Sequence, residues 1–190
     1  MNRPTPQNPS MCARVLLASL LISGSLFANI LPAGTFELTE VRGQPQFDGW
    51  NVSPGFDAEG VSAIGRVTPG ISPKGTGSLV LEFQKGGVYR VSPAARIDTI
   101  PINPGQKYRL SFQVKAEGGP INLEALIVEA DALKKTTPAA VNSVETTAEW
   151  KSQSVEWQAG ADKQFMSFTL QFGGKAPGTA QLADVSIEEI

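Results

Sequence analysis

The sequence predicts an all-β fold, a two-sheet β-sandwich of the jelly-roll type, and three observations carry that reading. After Pro104-Gly105, residues Tyr108, Leu110, Phe112 and Val114 fall on one side of a stretch, with Lys107, Arg109, Ser111, Gln113 and Lys115 on the other. Such period-two alternation marks a strand with one buried and one wet face. Short stretches of this kind recur roughly ten times at spacings of about 8–15 residues, bounded by Gly and Pro, as sandwiches and jelly rolls require. No segment carries the apolar repeat of a convincing amphipathic helix.

Taken in order, Phe36 and Leu38 alternate with Glu37 and Thr39 as a short first strand. A polar turn over 44–48 leads to Gly49-Trp50-Asn51-Val52. Residues 61–67 suit a short strand, and 69–78, with two Pro and three Gly, read as a loop. Leu79, Leu81 and Phe83 then alternate with Val80, Glu82 and Gln84, and Gly86-Gly87 turns the chain into Val88-Tyr89-Arg90-Val91. Residues 97–102 make another short strand before the stretch that begins at Pro104. Gly118-Gly119-Pro120 ends that stretch. Residues 121–130, apolar nearly throughout, fit helix or strand; the preceding turn and the β-branched Ile121, Ile127 and Val128 favour strand. Residues 131–149 lack periodicity and read as a long loop, strand-like only over 139–144. Alternating segments at 150–158 and 165–172 and a last strand over 182–190 complete the set.

The 190 residues suffice for one domain with a core, and nothing marks a second. Residues 1–28 have the form of a secretory signal. Arg3 and Arg14 are basic, no acid precedes Glu37, and an apolar run from Val15 ends at Ala28. That run is shorter than the roughly 20 residues that span a bilayer. The expectation is a cleaved leader, a domain over 29–190, and a secreted or periplasmic location. Without the leader, 14 basic and 18 acidic residues remain, net −4. So mild and dispersed a balance argues against a nucleic-acid surface. Histidine is absent, which removes the Ser-His-Asp and Cys-His nucleophile systems, the commonest general base and the usual zinc sites. Cys12 precedes the apolar run, so the domain expects no disulfide.

Six short motifs, in order, carry a family resemblance. Asn29-Ile30-Leu31-Pro32-Ala33-Gly34-Thr35-Phe36-Glu37 resembles the "N-L-(x)-N-G-x-F-E" opening of the family 4, 9 and 22 carbohydrate-binding modules, which are galactose-binding-like jelly rolls. Gly49-Trp50 is similar to their "G-W", and Gly77-Ser78-Leu79-Val80-Leu81 to their "G-x-x-S-L". Pro104 to Lys115 matches "P-G-x-x-Y-x-L-S-F-x-V-K", Thr147 to Trp150 resembles "T-x-x-W", and Leu182 to Ile187 resembles the closing "D-D-V-S-L". The resemblance implies two five-stranded sheets and non-catalytic carbohydrate binding on a concave face or at a loop end. It also implies a structural calcium ion, with Glu37 and Asp184 at the matching positions. Two positions depart from the pattern: Ala183 replaces the first closing acid, and Ala33 the asparagine before Gly34.

Sugar recognition needs flat aromatic or apolar surface for the ring and planar polar groups for the hydroxyls, in a concave site. Tyr108, Trp150 and Trp157 read as core. Trp50 is either a core plug or a stacking platform, and Tyr89 beside Arg90 is a second candidate. The wet side of the Pro104 stretch offers Gln113, with Asn122, Glu124 and Gln171 on later strands. Paired together these would form one polar surface, either a binding face or ordinary solvated sheet. No pair of acids sits in a hydrolase pattern, so catalysis is not expected. The expected partner is a polysaccharide or oligosaccharide, with a separate secreted enzyme or a cell-surface assembly beyond it. The rival is a structural or adhesive sandwich that has lost sugar binding, a reading favoured by the small number of aromatics.

Overall fold

A computed structural model describes residues 29–31, 34–41, 44–55, 60, 62–94 and 100–190; the leader expected over 1–28 lies outside the described residues. The described residues contain strands and no helix, in the order β1 (Leu38–Val41), β2 (Gln44–Phe47), β3 (Trp50–Gly55), β4 (Gly65–Ile71), β5 (Gly77–Phe83) and β6 (Gly87–Pro93). Then come β7 (Lys107–Gly118), β8 (Ile121–Asp131), β9 (Thr136–Val144), β10 (Lys151–Gln158), β11 (Lys163–Gly174) and β12 (Gly178–Glu189). One five-stranded sheet runs β10-β7-β12-β5-β4, the other β3-β6-β11-β8-β9, and β1-β2 is a separate hairpin. All pairings within the two large sheets are antiparallel. The two-sheet sandwich expected from the alternation is the observed architecture.

The core lies between the sheets and is built from the alternating residues. Tyr108, Leu110, Phe112 and Val114 of β7 are buried, as are Met166, Phe168, Leu170 and Phe172 of β11. Tyr108 stacks on Trp157 with ring centroids 5.4 Å apart. The first described residues are stitched to the last strand: Ile30 N–H donates to Ile187 O at 3.0 Å, and Ile187 N–H donates to Asn29 Oδ1 at 3.0 Å.

Three expectations need correction. Residues 44–47 are strand β2, which pairs with β1, rather than a turn. Part of the 69–78 loop is strand, because β4 is an edge strand and tolerates Pro69 there. The long loop expected over 131–149 contains β9, nine residues paired along β8. As an edge strand that is mostly exposed, β9 reaches the core only through the half-buried Ala140 and Val144, too few to impose an apolar rhythm. Of the strand expected over 97–102, residues 97–99 lie outside the described residues, and Pro101 forms an isolated bridge with Phe165.

Two features place the outward side chains. Gly118-Gly119-Pro120 carries the chain from one sheet to the other, so consecutive β7 and β8 are not neighbours. Gly118 has φ 89°, and a Cβ there would stand 2.9 Å from Gly178 Cα, so only glycine permits this crossing. In β12 the register against β7 shifts between Ala183 and Ser186, a bulge with Asp184 at φ 51°. The extra residue lets Leu182 and Val185 both face the core although they are three apart.

Candidate functional site

The outer face of β3-β6-β11-β8-β9 carries a polar rung that crosses every strand of the sheet. Ser53 is opposite Arg90, Arg90 opposite Gln171, Gln171 opposite Glu124, and Glu124 opposite Ser143. The three central side chains are hydrogen-bonded in series. Arg90 Nε donates to Gln171 Oε1 at 3.1 Å, and Gln171 Nε2 donates to Glu124 Oε2 at 3.4 Å. The charged neighbours therefore orient the Gln171 amide, its oxygen towards the guanidinium and its nitrogen towards the carboxylate. Beside the rung, Thr169 is opposite Leu126, and Leu126 opposite Val141. These six residues enclose an open depression of about 340 Å³. Its polar edge offers hydrogen-bond donors at Arg90 and acceptors at Glu124, and its other edge is aliphatic, with Val141 64% exposed.

Of the residues expected from the sequence, Arg90, Glu124 and Gln171 meet here. Asn122 stands one rung away, exposed, opposite Gly173. Leu126 and Val141 were not foreseen. The parity of Ile121, Leu123, Ala125 and Ile127, all buried, was the signal that assigns Leu126 to the outer face.

The remaining candidates lie elsewhere. Gln113 is on β7, in the opposite sheet, so the single polar surface expected from the sequence is two surfaces on opposite sides of the sandwich. The reason is the sheet crossing at Gly118-Gly119. Trp50 is a core plug: it is 5% exposed, stacks on Phe36 at 4.6 Å, meets Phe168 edge-on at 6.1 Å, and donates from Nε1 to Thr35 O at 2.9 Å. Tyr89 is also core, packed edge-on to Phe83 at 5.0 Å with its hydroxyl donating to Glu82 O at 3.4 Å. Its neighbour in sequence, Arg90, faces out because successive strand residues alternate.

Burial pushes the pKa of the Tyr89 phenol above its ordinary 10.0, and the Glu82 carboxylate adds to the shift. Burial likewise raises Tyr108, with the Asn103 backbone N–H opposing and Glu189 adding. These are the chain's two tyrosines. Their neutral forms stabilise the fold fully below pH 10, and this contribution is lost as pH rises through the elevated folded-state values. A spectrophotometric titration is therefore expected to show little tyrosinate in native protein at pH 10, with ionisation accompanying unfolding at higher pH. A normal tyrosinate curve in folded protein would contradict the burial.

The implied calcium site was tested against its donors. Asp184 Oδ1 accepts from Thr76 Oγ1 at 2.9 Å, Oδ2 accepts from Gln113 Nε2 at 3.1 Å, and Lys74 Nζ lies 3.6 Å from Oδ2. Calcium takes converging oxygen acceptors, whereas these groups are an ammonium and two donors that already satisfy the carboxylate. Ala183 is fully buried, and Glu37 is exposed with Oε1 turned towards Gly77. Among the described residues no group of three or more His, Cys, Asp or Glu side chains could hold a metal ion. The protein's own groups thus neutralise Asp184. Excess chelator is expected to leave the thermal midpoint unmoved, and a fall would reveal a bound cation.

The sequence matches the pattern of the carbohydrate binding domain family, of the type shared by families 4 and 9, over residues 28–178. The chain belongs to that family. This glycan-binding domain has no significant match among curated proteins. Among solved structures, the domain is similar to a family 61 carbohydrate-binding module in complex with β-1,4-galactotriose, at 16% identity and TM-score 0.54, covering 86% of this chain and 99% of that one. It also resembles the N-terminal cellulose-binding domain of Cellulomonas fimi β-1,4-glucanase C, at 18% identity and TM-score 0.50, covering 75% of this chain and 89% of that one. The enzymatically active domain of bacteriophage CBA120 tailspike protein 4 is 15% identical with TM-score 0.57, covering 75% of this chain. The domain spans only 20% of that chain's length. At such identities these likenesses concern the fold alone.

Proposed function

We propose that the domain binds an extended, neutral glycan across the outer face of β6, β11 and β8, with no covalent chemistry. The observation that carries this reading is the hydrogen-bonded series Arg90–Gln171–Glu124 along one edge of the depression, with Leu126 and Val141 along the other. Arg90 donates to sugar oxygens, Glu124 accepts from hydroxyls, and Gln171 does both. The aliphatic pair meets the apolar side of a ring where many sugar sites use an aromatic. Four interstrand spacings make the sheet about 19 Å wide, so an open chain crossing it is contacted along its length rather than at its end.

Non-catalytic binding is supported by the donor set: among the described residues Glu124 is the only carboxylate lining this depression, whereas glycoside hydrolysis uses two. The leader pattern of residues 1–28 supports export to a secreted or periplasmic location, where the domain would meet polysaccharide together with a separate enzyme or a surface assembly. No described helix is long and apolar enough to cross a membrane.

A glycan array followed by calorimetry tests the reading. Arg90→Ala is expected to weaken the best ligand about 10–100-fold, the equivalent of one charge-assisted hydrogen bond. Gln171→Ala should weaken it by a smaller factor. Both side chains are on the surface, so thermal midpoints should stay close to wild type. Wild-type affinity in both variants would overturn the proposal.

A further inference from the structure

The opposite face of the sandwich carries a second trough. Its floor is a rung of serines across three adjacent strands, Ser154 opposite Ser111 and Ser111 opposite Ser186. No side chain among the described residues bonds these three hydroxyls, which face outward from the sheet. One wall is the next rung, Glu156–Arg109–Glu188. Arg109 donates from Nε to Glu156 Oε1 at 2.9 Å and from a terminal nitrogen to Glu188 Oε1 at 3.2 Å. The other wall is Gln113, whose Nε2 is committed to Asp184 and whose Oε1 is left to accept. The β12 bulge builds this arrangement, because it sets Ser186 opposite Ser111 and turns Asp184 out beside Gln113. The space between measures about 400 Å³. Walls two residues either side of the floor put the trough at roughly 13 Å across, wide enough for one sugar ring.

The chemistry of this trough differs from that of the first face. Its charges are all paired, Glu156 and Glu188 with Arg109 and Lys74 with Asp184, and sum to −1. That leaves no strong pull on an ionic ligand. The planar groups are held in place before any ligand arrives, which lowers the ordering cost of binding. The floor is small hydroxyls, and among the described residues lining the trough no exposed aromatic or aliphatic side chain meets the flat side of a ring; the half-exposed Trp150 stands beyond the Gln113 wall, its ring 5.7 Å from Lys115 Nζ. We infer that the face formed by β10, β7 and β12 is a second carbohydrate site, which takes a neutral saccharide unit edge-on through its hydroxyls. Lacking apolar contact, it binds more weakly than the first face and acts by holding a second chain, or a second stretch of a bent one, so that two weak contacts add through avidity.

The inference goes beyond the first face and can fail separately. Backbone amide NMR of residues 29–190 would be followed during titration with β-1,4-galactotriose and with a soluble cello-oligosaccharide. The expected result is two groups of shifted amides, one around Arg90, Glu124 and Gln171, the other around Ser111, Ser154 and Ser186. Ser111→Val, which suits a strand, should abolish the second group and leave the first. Ser186→Val provides the same test should Ser111→Val perturb the sheet. Arg90→Ala should do the reverse of both. Shifts confined to the Arg90 group would overturn the second site and leave the first standing. Shifts confined to the serine group would sustain it and remove the first. No shift on either face would overturn both.

Discussion

Trp50→Ala is expected to lower the free energy of unfolding by about 3–5 kcal/mol, the range for removing a buried large aromatic. Trp50 closes the core at the point where the residues before β1, β3 and β11 meet, through Phe36, its own strand and Phe168. Removing the indole leaves a cavity between the rings and strips Thr35 O of its donor. Trp50→Phe should cost less, since it keeps ring contact and loses the Nε1 bond, worth about 1 kcal/mol, together with only part of the buried indole volume. Urea unfolding with an unchanged slope measures both. If Trp50→Ala kept its midpoint yet lost glycan affinity, the residue would be a platform and the burial described above would be wrong.

Glu129 supplies the second large effect. An acid in a strand reads as solvated by default, yet Glu129 is 3% exposed. Its Oε1 accepts from Trp157 Nε1 at 3.0 Å and its Oε2 from Gly160 N at 3.2 Å. Glu129→Ala leaves two donors without acceptors, at about 1–3 kcal/mol each, so a loss of roughly 2–6 kcal/mol is expected. Glu129→Gln keeps the volume but has one acceptor oxygen, and its NH₂ would face the remaining donor. About 1–3 kcal/mol should be lost even by this near-isosteric change. Thermal unfolding distinguishes the outcomes, and wild-type midpoints in both variants would show that the carboxylate is not the hub of this end of the sandwich.

Much of the fold was legible because the longest strands each have one buried face. In β7 and β11 every second residue is apolar, and both strands appear where the alternation places them. β9 escaped because an exposed edge strand need not alternate, and β12 was blurred because its bulge breaks the rhythm between Leu182 and Val185. The candidate site was half legible. Arg90, Glu124 and Gln171 were picked out as outward polar residues and do converge. Tyr89 and Trp50 were attractive as exposed aromatics, but core packing claimed both. Leu126 and Val141 were missed because apolar residues are read as interior by default.

The sequence by itself determined which side of each well-alternating strand is wet, that the chain is a two-sheet β protein, and the family to which it belongs. These are local properties, set by side-chain period and turn chemistry along a few residues. Only the tertiary structure decided which wet sides share a surface. Alternation is the same whichever neighbours a strand hydrogen-bonds, and sheet membership is set by contacts between residues far apart in the chain. The crossing at Gly118-Gly119 put Gln113 on one side of the sandwich and Arg90, Glu124 and Gln171 on the other. A face that reads as one along the chain is therefore two in space.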